Sequence, residues 1–354
     1  MSVIRFALLG CSKIAWKHAE SLQRIENAQL AAVCDLDETR ARALGDKYGV
    51  ASYQDYHRMM SSEAVDVVSV LTPSGAHAEH MLDLVRYRKH IVVEKPMTLR
   101  LEDADAVIRS CDQTGIKLFV VKQNRYNRPV QALRQALERG RFGKLVLGTA
   151  RVRWCRSQAY YDEAPWRGTW AWDGGVLMNQ ASHHIDMLLW MMGEVESASA
   201  MTATRLARIE AEDTAAATLR FRSGALGVIE ATTATRPKDL EGSISILGER
   251  GSVVIGGFAM DRLLLWEFAE SLPDDATIFA NHGENPKEAA WNHTEYLRAV
   301  VETINTGHRA LEDGLEARKS LELISALYES AETGQTVSLR FRPAKCRLGV
   351  RSDD

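Results

Sequence analysis

The sequence contains little cysteine, and its cysteines lack the spacing of a metal site. There are five of them, an odd number with no CxxC pair, which disfavours a zinc site or a disulfide framework. We interpret them as reduced thiols of a cytoplasmic protein, most of them small packing groups. The chain starts without a basic stretch followed by a long apolar run, and no window reaches about 18 apolar residues. We therefore expect neither a signal peptide nor a membrane span.

The sequence also lacks a strong charge of either sign. The formal net charge is −3 and the pI is near 6.4, which favours neither a nucleic-acid-binding protein nor an acidic tail. Internal repeats and low-complexity segments are absent. The composition is ordinary for a globular protein, with 45% apolar and 26% charged residues. The length of 354 residues is typical of about two domains. We expect no nucleic-acid or membrane partner.

The first residues form the pattern of a dinucleotide-binding unit. A buried strand over Val3–Leu9 leads into Gly10-Cys11-Ser12-Lys13-Ile14-Ala15, and a helix follows to about Glu26. A second strand over Leu30–Cys34 ends at Asp35. Gly10 permits the tight turn, whereas Ser12 and Ala15 replace the second and third glycines of the usual pattern. The Ser12 hydroxyl can bind phosphate itself, and the N–H groups of the helix start complete the anion site.

Asp35 indicates which dinucleotide is bound. A carboxylate at this position can accept both ribose hydroxyls and would repel a 2′-phosphate, so NAD is favoured over NADP. Arg40 is the one nearby residue that would suit a phosphate. We interpret it as a solvated helix residue.

Strands and helices continue to alternate up to residue 122. The predicted elements are strands at Val65–Leu71, His90–Val93 and Lys117–Val121, and helices from Ser74 to about Tyr87 and over Asp103–Gly115. This order predicts a doubly wound parallel sheet, and residues 1–122 are predicted to be an NAD-binding Rossmann domain. Ligands of such sheets lie beyond the carboxyl ends of the strands, where Thr72, Glu94 and Lys95 are expected. Lys95 is therefore favoured as a functional residue over a solvated surface lysine.

Residues 123–354 have a different character and are predicted to form an α+β domain for substrate binding and oligomerisation. A polar run over Gln123–Asn127 is followed by a helix at Pro129–Gly140 and a strand at Lys144–Cys155. A loop dense in tryptophan and tyrosine then spans Tyr160–Trp172, with arginines nearby. Aromatic rings can stack on a sugar or base, and arginine can bind phosphate or carboxylate. An oligomer interface uses the same residue types and is an equal alternative.

The segment Gly174–Trp190 is the strongest candidate for an active-site element. From Val176 onward it contains neither glycine nor proline and predicts a helix. At about 100° per residue, Asn179, His183 and Asp186 fall within about 60° of one another on one face. A solvated polar stripe is the plainer interpretation, but three such residues among Leu, Met and Ile favour an active-site helix. His184, about 100° round the helix from His183, is the weaker candidate for the same role.

The remainder of the chain predicts a large sheet closed by two helices. Runs of period two begin at about Ser199 and end at about Trp266, which predicts a large, mostly antiparallel open sheet. We expect its open face to pack on a second subunit, giving a homotetramer or dimer. Helices are predicted at about Lys287–Asn305 and Asp313–Thr333, and the last residues, from Ala344, are predicted to be a frayed tail.

Taken together, these motifs resemble the glucose–fructose oxidoreductase / inositol dehydrogenase / MocA family over the whole chain. The resemblance is carried by the glycine turn from Gly10 to Ala15 with His18, by Glu94-Lys95-Pro96, by Trp166-Arg167, and by Gly174-Gly175 through His183 and Asp186 to Trp190. Two positions depart from the family pattern. Many members have aspartate where this chain has Asn179, and Ser12 replaces the middle glycine.

The resemblance implies an oxidoreductase that binds NAD and oxidises or reduces a sugar or cyclitol carbon, with Lys95 and His183 as the catalytic pair. In this interpretation His183 takes the hydroxyl proton, directly or through Lys95, and the Lys95 ammonium stabilises the developing alkoxide. Asn179 either fixes the His183 tautomer or binds substrate. The residues expected at the cofactor are Gly10, Ser12, Lys13, Ile14, Asp35, Thr72, Pro73, His77, Glu94, Lys95, Trp166 and Arg167.

A narrower resemblance concerns the substrate. The runs KQNRYN, YYD, WRGTW and NQASHHID are similar to those of bacterial UDP-N-acetylglucosaminuronate 3-dehydrogenases of lipopolysaccharide sugar biosynthesis. These enzymes oxidise the C3 hydroxyl of UDP-N-acetylglucosaminuronic acid (UDP-GlcNAcA). The expected UDP-sugar ligands are Lys95, Gln123, Asn124, Arg125, Tyr126, Arg153, Tyr160, Asn179, His183, Asp186 and Arg236.

Two other functions fit the same motifs. One is an NAD-dependent dehydrogenase of a free sugar or inositol. The other is a non-catalytic NAD-binding sensor, which the intact Lys95 and His183 disfavour because a sensor need not keep them.

Overall fold

The structure is a computed structural model that describes residues 2–308 and 313–339. The predicted tail from Ala344 lies outside the described residues. The chain divides into two compact units, one of residues 1–123 and 287–318 and the other of residues 124–286 and 319–354. Each unit is described below by itself.

Up to residue 123 the chain alternates between strand and helix, as expected for a doubly wound fold. In chain order the elements are β1 (Ile4–Leu9), α1 (Lys13–Leu22), β2 (Ala28–Cys34), α2 (Glu38–Tyr48), β3 (Ala51–Tyr53), α3 (Tyr56–Ser62), β4 (Val67–Val70), α4 (His77–Leu84), β5 (His90–Val93), α5 (Leu101–Thr114) and β6 (Leu118–Val120). The strands form a parallel sheet in the order β3-β2-β1-β4-β5-β6. This is the order of the dinucleotide-binding Rossmann fold, so the predicted fold class of this region is confirmed.

Local sequence explains why these elements form. Strand β4 is buried along its whole length, which requires the apolar run that parallel strands with covered faces use. Helix α2 begins after Asp37, whose carboxylate accepts hydrogen bonds from the N–H groups of Thr39 and Arg40. It ends at Gly49 in the left-handed region, at φ +67°. Elements α2, β3 and α3 were not predicted.

The second unit begins with α6 and contains the larger sheet. Its elements up to residue 286 are α6 (Arg128–Glu138), β7 (Leu145–Arg153), α7 (Gln158–Asp162), α8 (Ser182–Met192), β8 (Val195–Ala203), β9 (Thr214–Phe221), β10 (Leu226–Thr232), β11 (Glu241–Gly248), β12 (Gly251–Gly256), β13 (Arg262–Phe268) and α9 (Ile278–His282). The chain ends with α10 (Trp291–Thr306), α11 (Gly314–Thr333) and β14 (Val337–Ser338).

The larger sheet has eight strands in the order β13-β12-β11-β7-β10-β9-β8-β14. Its pairs are antiparallel except for β10 and β7, so the predicted mostly antiparallel α+β sheet is confirmed. Burial alternates strictly along β9, which indicates one covered face and one exposed face. Helix α8 covers the inner face, because a Cβ added to Gly148 of β7 would lie 2.7 Å from Met192 and 2.8 Å from Leu188.

Residues 287–318 were predicted to belong to the C-terminal domain, but they cluster with the first unit. Arg24, just after α1, donates hydrogen bonds to the Glu288 carboxylate at 2.8 Å and to the Ala289 carbonyl. The rings of His18 in α1 and His293 in α10 meet edge to face, with centroids 6.0 Å apart. Helix α10 therefore packs on α1 of the first unit. From sequence pattern alone, a helix is assigned to the same domain as the elements next to it in the chain. The packing of α10 back on the first unit could therefore not be predicted.

Candidate active site

The turn between β1 and α1 is shaped for a backbone-bound anion. Gly10 has φ +101°, and an added Cβ would lie 2.7 Å from the Leu71 carbonyl oxygen at the end of β4. Only glycine therefore fits at this turn. Ser12 is the N-cap of α1, and its side chain makes no capping hydrogen bond. The predicted Lys13 and Ile14 lie in the first turn of α1, where backbone N–H groups point out of the helix. These features fit a dinucleotide phosphate.

Asp35 lies beside this turn, at the end of β2. Its carboxylate accepts hydrogen bonds from the N–H groups of Cys11, at 2.7 Å, and Asp37, at 2.9 Å. These bonds hold the carboxylate at the carboxyl edge of the sheet, where a ribose hydroxyl would be bound. Arg40 pairs with Asp37 at 3.1 Å and its side chain is 60% exposed, as expected of a solvated helix residue.

Glu94 is held by groups of its own unit. It is 8% exposed, its Oε1 lies 3.1 Å from His18 Nε2, and its Oε2 accepts the Lys95 N–H at 3.2 Å. Burial by itself raises the pKa of Glu94, but the His18 hydrogen bond and the charges of His18, His293 and Lys95 lower it to about 2. Glu94 was predicted to bind the cofactor. In the structure its ionised carboxylate holds the backbone of Lys95, the proposed catalytic residue.

His77 has a place different from the one predicted. It was expected at the cofactor, but it is 1% exposed. Its Nδ1 and Nε2 each lie 2.8 Å from a backbone carbonyl, of Pro96 and Thr72 respectively. Burial lowers the pKa of His77, against the effect of the two carbonyls. The ring thus ties the chain after β4 to the chain after β5, next to Lys95. Pro73 follows β4 and precedes a short 3₁₀ turn over Ser74–Ala76.

The predicted helix from Val176 to Trp190 begins only at Ser182. Asn179 therefore lies in a series of turns before α8, and the expected three-residue helical face is wrong at its first member. Long-range and local hydrogen bonds hold this segment in turns. The N–H groups of Val176 and Leu177 donate to the carbonyl oxygen and carboxylate of Glu212. Ala181 N donates to the Val176 carbonyl, five positions back rather than the four of a regular helix, and α8 starts only after it.

A carboxylate lies next to the Asn179 side chain. Asn179 Nδ2 donates to Asp173 Oδ1, and the other carboxylate oxygen of Asp173 accepts the Gly168 N–H at 2.8 Å. Asp173 is 2% exposed. Asp173, a buried acid six positions earlier, thereby orients the amide of Asn179. This residue was not predicted from the sequence. Its only signal was an acidic residue directly before Gly174-Gly175.

His183 and His184 have different surroundings. His184 is 1% exposed and faces the sheet, with its ring edge to face with Trp154 at 5.7 Å between centroids. Its Nε2 would be 3.2 Å from a Cβ at Gly242. Burial lowers the pKa of His184 to about 4, so it is neutral at physiological pH. His183 is half-buried and lies about 100° round the helix from this sheet-facing side.

Arg125 and Asp186 were predicted to bind substrate, but they bind each other. Arg125 Nε and Nη2 each donate to a different carboxylate oxygen of Asp186 at 2.9 Å. The side chains are 3% and 4% exposed, and the guanidinium lies 4.8 Å from the Trp190 ring centroid. This buried bidentate pair ties the 3₁₀ turn Gln123–Tyr126 to α8. We therefore assign the two residues a structural role.

The other arginines predicted for substrate also have partners within the second unit. Arg153 lies on β7 and pairs with Glu230 of β10 at 2.6 Å and with Glu241 of β11 at 3.2 Å. Arg236 donates to the backbone carbonyls of Thr233 and Thr235.

The aromatic loop forms the short helix α7 followed by turns. Arg167 binds the Tyr160 carbonyl and the Glu163 carboxylate, and its guanidinium lies 4.2 Å from the Tyr160 ring centroid. Trp166 is half-buried in the turns after α7. Of the predicted residues in the turn Gln123–Tyr126, Gln123 and Tyr126 are half-buried, whereas Asn124 is 5% exposed.

Some site types are not found in residues 2–308 and 313–339. No three His, Cys, Asp or Glu side chains of this part of the chain are grouped as metal ligands. Cys11, Cys34, Cys111 and Cys155 are free thiols. Within the same ranges, we find no helix with both the length and the hydropathy needed to cross a membrane.

Comparison with known proteins shows the family of the chain. Residues 4–122 match the model of an oxidoreductase family with an NAD-binding Rossmann fold, and residues 130–254 match the GFO/IDH/MocA C-terminal domain. The fold and the nucleotide turn thus define a two-domain, NAD-dependent sugar dehydrogenase. The chain belongs to the GFO/IDH/MocA oxidoreductase family.

Individual relatives are similar over nearly the full length. The WlbA dehydrogenase of Bordetella pertussis, solved in complex with NADH and UDP-GlcNAcA, is 41% identical with a TM-score of 0.92, over 95% of this chain and 98% of that chain. The WlbA dehydrogenase of Chromobacterium violaceum, solved with the same two ligands, is also 41% identical, with a TM-score of 0.90 over 96% of each chain. Myo-inositol 2-dehydrogenase of Thermotoga maritima is 26% identical over 95% of this chain and 98% of its own length.

Proposed function

We propose that this protein oxidises the C3 hydroxyl of UDP-GlcNAcA to a 3-keto sugar nucleotide, using NAD. The observation that carries the proposal is the 41% identity, at a TM-score of 0.92, to a dehydrogenase solved with NADH and UDP-GlcNAcA. Identity at this level extends over 95% of the chain and so includes both the nucleotide-binding unit and the unit that carries His183.

The cofactor would be held by the turn at Gly10, the start of α1 at Ser12, and the Asp35 carboxylate. Gly10 shapes the tight turn, because no side chain fits against the Leu71 carbonyl, and Asp35 beside the turn is the proposed ribose acceptor. When bound, NAD accepts the hydride from the carbinol carbon.

Two residues are proposed to manage the proton and the developing charge. His183 takes the hydroxyl proton, and the Lys95 ammonium stabilises the alkoxide as it forms. The ionised Glu94 binds the Lys95 backbone N–H and so holds the chain at Lys95 in place. Asp173 orients Asn179 through its amide nitrogen. The Asn179 side-chain carbonyl oxygen is proposed to accept a hydrogen bond from His183 or from the sugar.

The sugar nucleotide is proposed to be bound by predicted polar residues other than Arg125 and Asp186, which are buried in their own ion pair. The best supported are Gln123 and Tyr126 of the 3₁₀ turn and Tyr160 of α7, which are all half-buried. Arg153 and Arg236 are weaker candidates, because each already binds acceptors within the second unit.

Mass spectrometry tests the reaction directly. The purified protein is incubated with UDP-GlcNAcA and NAD, with and without 2-oxoglutarate as a second oxidant. We expect a product that has lost two hydrogens from the sugar nucleotide. Lys95→Ala and His183→Ala proteins are the matched controls and should form little of it. Unchanged substrate with the wild-type protein would reject this substrate assignment.

A second candidate is the oxidation of a free sugar or inositol. It is favoured by the similarity to Myo-inositol 2-dehydrogenase over 95% of the chain, although at 26% identity. Isothermal titration with UDP alone separates the two functions, since a free-sugar enzyme has no need for a uridine nucleotide site. Binding of UDP favours the sugar nucleotide. Absence of binding, together with oxidation of myo-inositol, favours the second candidate.

A further inference from the structure

Two buried residues, Glu212 and Tyr328, bind three consecutive backbone N–H groups in front of α8. Val176 N donates to the Glu212 backbone carbonyl oxygen at 2.9 Å, and Leu177 N donates to Glu212 Oε1 at 2.9 Å. Gly175 N donates to the Tyr328 hydroxyl at 3.2 Å, and that hydroxyl in turn donates to Glu212 Oε1 at 2.9 Å. The Glu212 carboxyl, the Glu212 backbone carbonyl and the Tyr328 phenol thus each bind one N–H group from Gly175 to Leu177.

Glu212 and Tyr328 are packed closely around the Gly175 backbone. A Cβ added to Gly175 would lie 2.0 Å from Glu212 Oε2 and 2.3 Å from its carbonyl oxygen, so the carboxyl rests directly on the Gly175 backbone. Glu212 is 3% exposed and Tyr328 is 2% exposed. Trp170 covers Tyr328 from the side, edge to face at 5.3 Å between ring centroids. Gly175 therefore has to be glycine because both the carboxyl and the backbone carbonyl of Glu212 lie against it.

Keeping a carboxyl in this place is costly. Burial, with a contribution from the nearby Asp173, raises the pKa of Glu212 to about 7, against the effect of the hydrogen bonds from Leu177 N and the Tyr328 hydroxyl. Glu212 Oε2 is buried and makes no hydrogen bond with the described residues. An apolar side chain would fill the same volume without this cost. The carboxyl is explained by the backbone that it holds.

The segment that Glu212 holds leads to both candidate active-site side chains of this unit. Asn179 N donates to the Gly175 carbonyl, and Ala181 N donates to the Val176 carbonyl. Helix α8 begins at the next residue and carries His183 in its first turn. A shift of Gly175–Leu177 would thus be transmitted to Asn179 and His183 through two backbone hydrogen bonds.

We propose that Glu212 and Tyr328 are positioning residues that set the Gly174–Asn179 segment, and with it Asn179 and His183, in the geometry needed for hydride transfer. The inference rests on the proposed role of His183 and goes beyond it, since neither residue touches the reacting atoms. Sequence pattern did not reveal Glu212, which stands in a charged run ending at Asp213, or Tyr328, which lies in the middle of α11.

Steady-state kinetics and hydrogen–deuterium exchange test the proposal together, using Glu212→Ala, Glu212→Gln and Tyr328→Phe in the full chain. The kinetic assay uses whichever sugar the wild-type protein oxidises, UDP-GlcNAcA or a free sugar. We expect Glu212→Ala to lower kcat by about 10- to 100-fold, since displacements of about 1 Å have effects of that size. KM for NAD should change by less than about threefold, because the nucleotide turn lies in the other unit.

Glu212→Gln is the conservative variant that separates positioning from mere folding. It keeps the Oε1 acceptor and the volume, so kcat should stay within about threefold of wild type. Tyr328→Phe removes the acceptor of the Gly175 N–H and should give an intermediate loss. Ser330→Ala is the matched control in the same helix. It removes a buried hydroxyl that accepts the Ala200 N–H, and it should leave kcat unchanged.

Exchange supplies a readout that does not depend on the substrate. Peptides covering Gly174–Asn179 should exchange faster in Glu212→Ala than in wild type and Glu212→Gln, while peptides covering Leu101–Thr114 should be unchanged. Equal protection of Gly174–Asn179 in all variants would show that Glu212 does not hold this segment and would overturn the proposal. Lost protection together with a wild-type kcat would show that holding the segment does not matter for catalysis, which would also overturn it. If UDP-GlcNAcA is not oxidised but exchange responds as expected, the substrate assignment fails and the positioning role of Glu212 stands.

Discussion

His183 and His184 are neighbours in the chain with opposite environments. His184 is buried against the sheet, beside Trp154, with its pKa lowered to about 4. A ring that stays neutral and meets no solvent cannot exchange a proton with substrate. His183 lies on another side of α8 and is half-buried. Helical periodicity leaves the choice between them open, and the burial of His184 against the sheet favours His183 as the proposed base.

Exchanging each histidine for asparagine should separate the two roles. His183→Asn should lower kcat by about 10²- to 10⁴-fold, the usual contribution of a general base, without changing the melting temperature much. His184→Asn should keep kcat within about threefold and lower the unfolding free energy by about 1–3 kcal/mol, because packing in the core is lost. Kinetics and thermal unfolding measure both. A large kcat loss confined to His184→Asn would reverse the assignment.

Gly10 offers a test of the nucleotide turn with a matched glycine elsewhere. Gly10 and Gly49 both have positive φ, but a Cβ at Gly49 would meet nothing within 4 Å, whereas one at Gly10 would lie 2.7 Å from the Leu71 carbonyl. Gly49→Ala should cost only the backbone strain of about 1 kcal/mol and leave NAD affinity unchanged. Gly10→Ala should weaken NAD binding by more than about tenfold. Fluorescence titration with NADH checks this, and equal affinities would contradict it.

At the scale of elements, the buried pair of Arg125 and Asp186 joins a loop to a helix. The pair is bidentate and nearly unexposed, so removal of one partner leaves an uncompensated charge in the core. Asp186→Leu should destabilise the protein by about 3–5 kcal/mol. The exposed pair of Arg222 and Glu194, with side chains 49% and 69% exposed, is the control. Glu194→Ala should cost less than about 1 kcal/mol.

The double variant Arg125→Met with Asp186→Leu completes this test. It should recover much of the stability, because the uncompensated charge is gone and apolar side chains fill the site. Urea unfolding followed by tryptophan fluorescence gives the unfolding free energy of each single variant and of the double variant. If the double variant were as unstable as the sum of the two single variants, the pair would not be acting as a unit.

The elements also indicate what sequence can predict. Strand β5 was predicted at its observed bounds because its apolar run is short and is followed by the polar Glu94-Lys95. Helix α2 was missed although its signals are local and visible, an N-cap at Asp37 and a glycine C-cap at Gly49. The late start of α8 could not be predicted. The apolar, glycine-free run from Val176 is helical by pattern, and it gives no sign of the hydrogen bonds to Glu212, far along the chain, or of the five-residue step from Ala181 N to the Val176 carbonyl.

In the candidate site, too, some features could be predicted from sequence and others could not. Gly10, Asp35 and Lys95 were predicted as site residues because strand ends of a parallel sheet meet at one edge, a rule that needs no side-chain detail. The structural pairing of Arg125 with Asp186, and the link from Asp173 to Asn179, depend on side-chain directions in loops. Residue type alone made Arg125 a plausible anion ligand, and its burial against Trp190 lies beyond any pattern in the sequence.

For the molecule as a whole, Glu212 predicts a pH dependence of stability. Its pKa is raised from the ordinary 4.5 to about 7, mainly by burial. Between these values the folded state keeps a proton that the unfolded state has lost, so the unfolding free energy falls as pH rises. Relative to Glu212→Gln, wild type should lose on the order of 3 kcal/mol from pH 4 to pH 8. Urea unfolding across this range measures the difference, and a constant difference would contradict it.

The exposed face of the larger sheet leads to a proposal about assembly. Leu226 and Val228 of β10 are 48% and 37% exposed, and Met201 of β8 is 81% exposed. On the same outward side, Arg153 pairs with Glu230 and Glu241 across three strands. We propose that this face packs on a second copy of the chain, because apolar residues surrounded by ion pairs form an interface more readily than a solvated surface.

A single charge in this face tests the assembly. Val228→Asp would bury an unpaired carboxylate in such an interface and should convert the dimer or tetramer to monomer at micromolar concentration. Leu36→Asp is the control, since Leu36 lies in the first unit and is 89% exposed. It should leave the assembly intact. Light scattering after size-exclusion chromatography gives the mass of each protein. A monomeric wild type, or a Val228→Asp protein that keeps the wild-type mass, would contradict the proposal, and circular dichroism would show that both variants are folded.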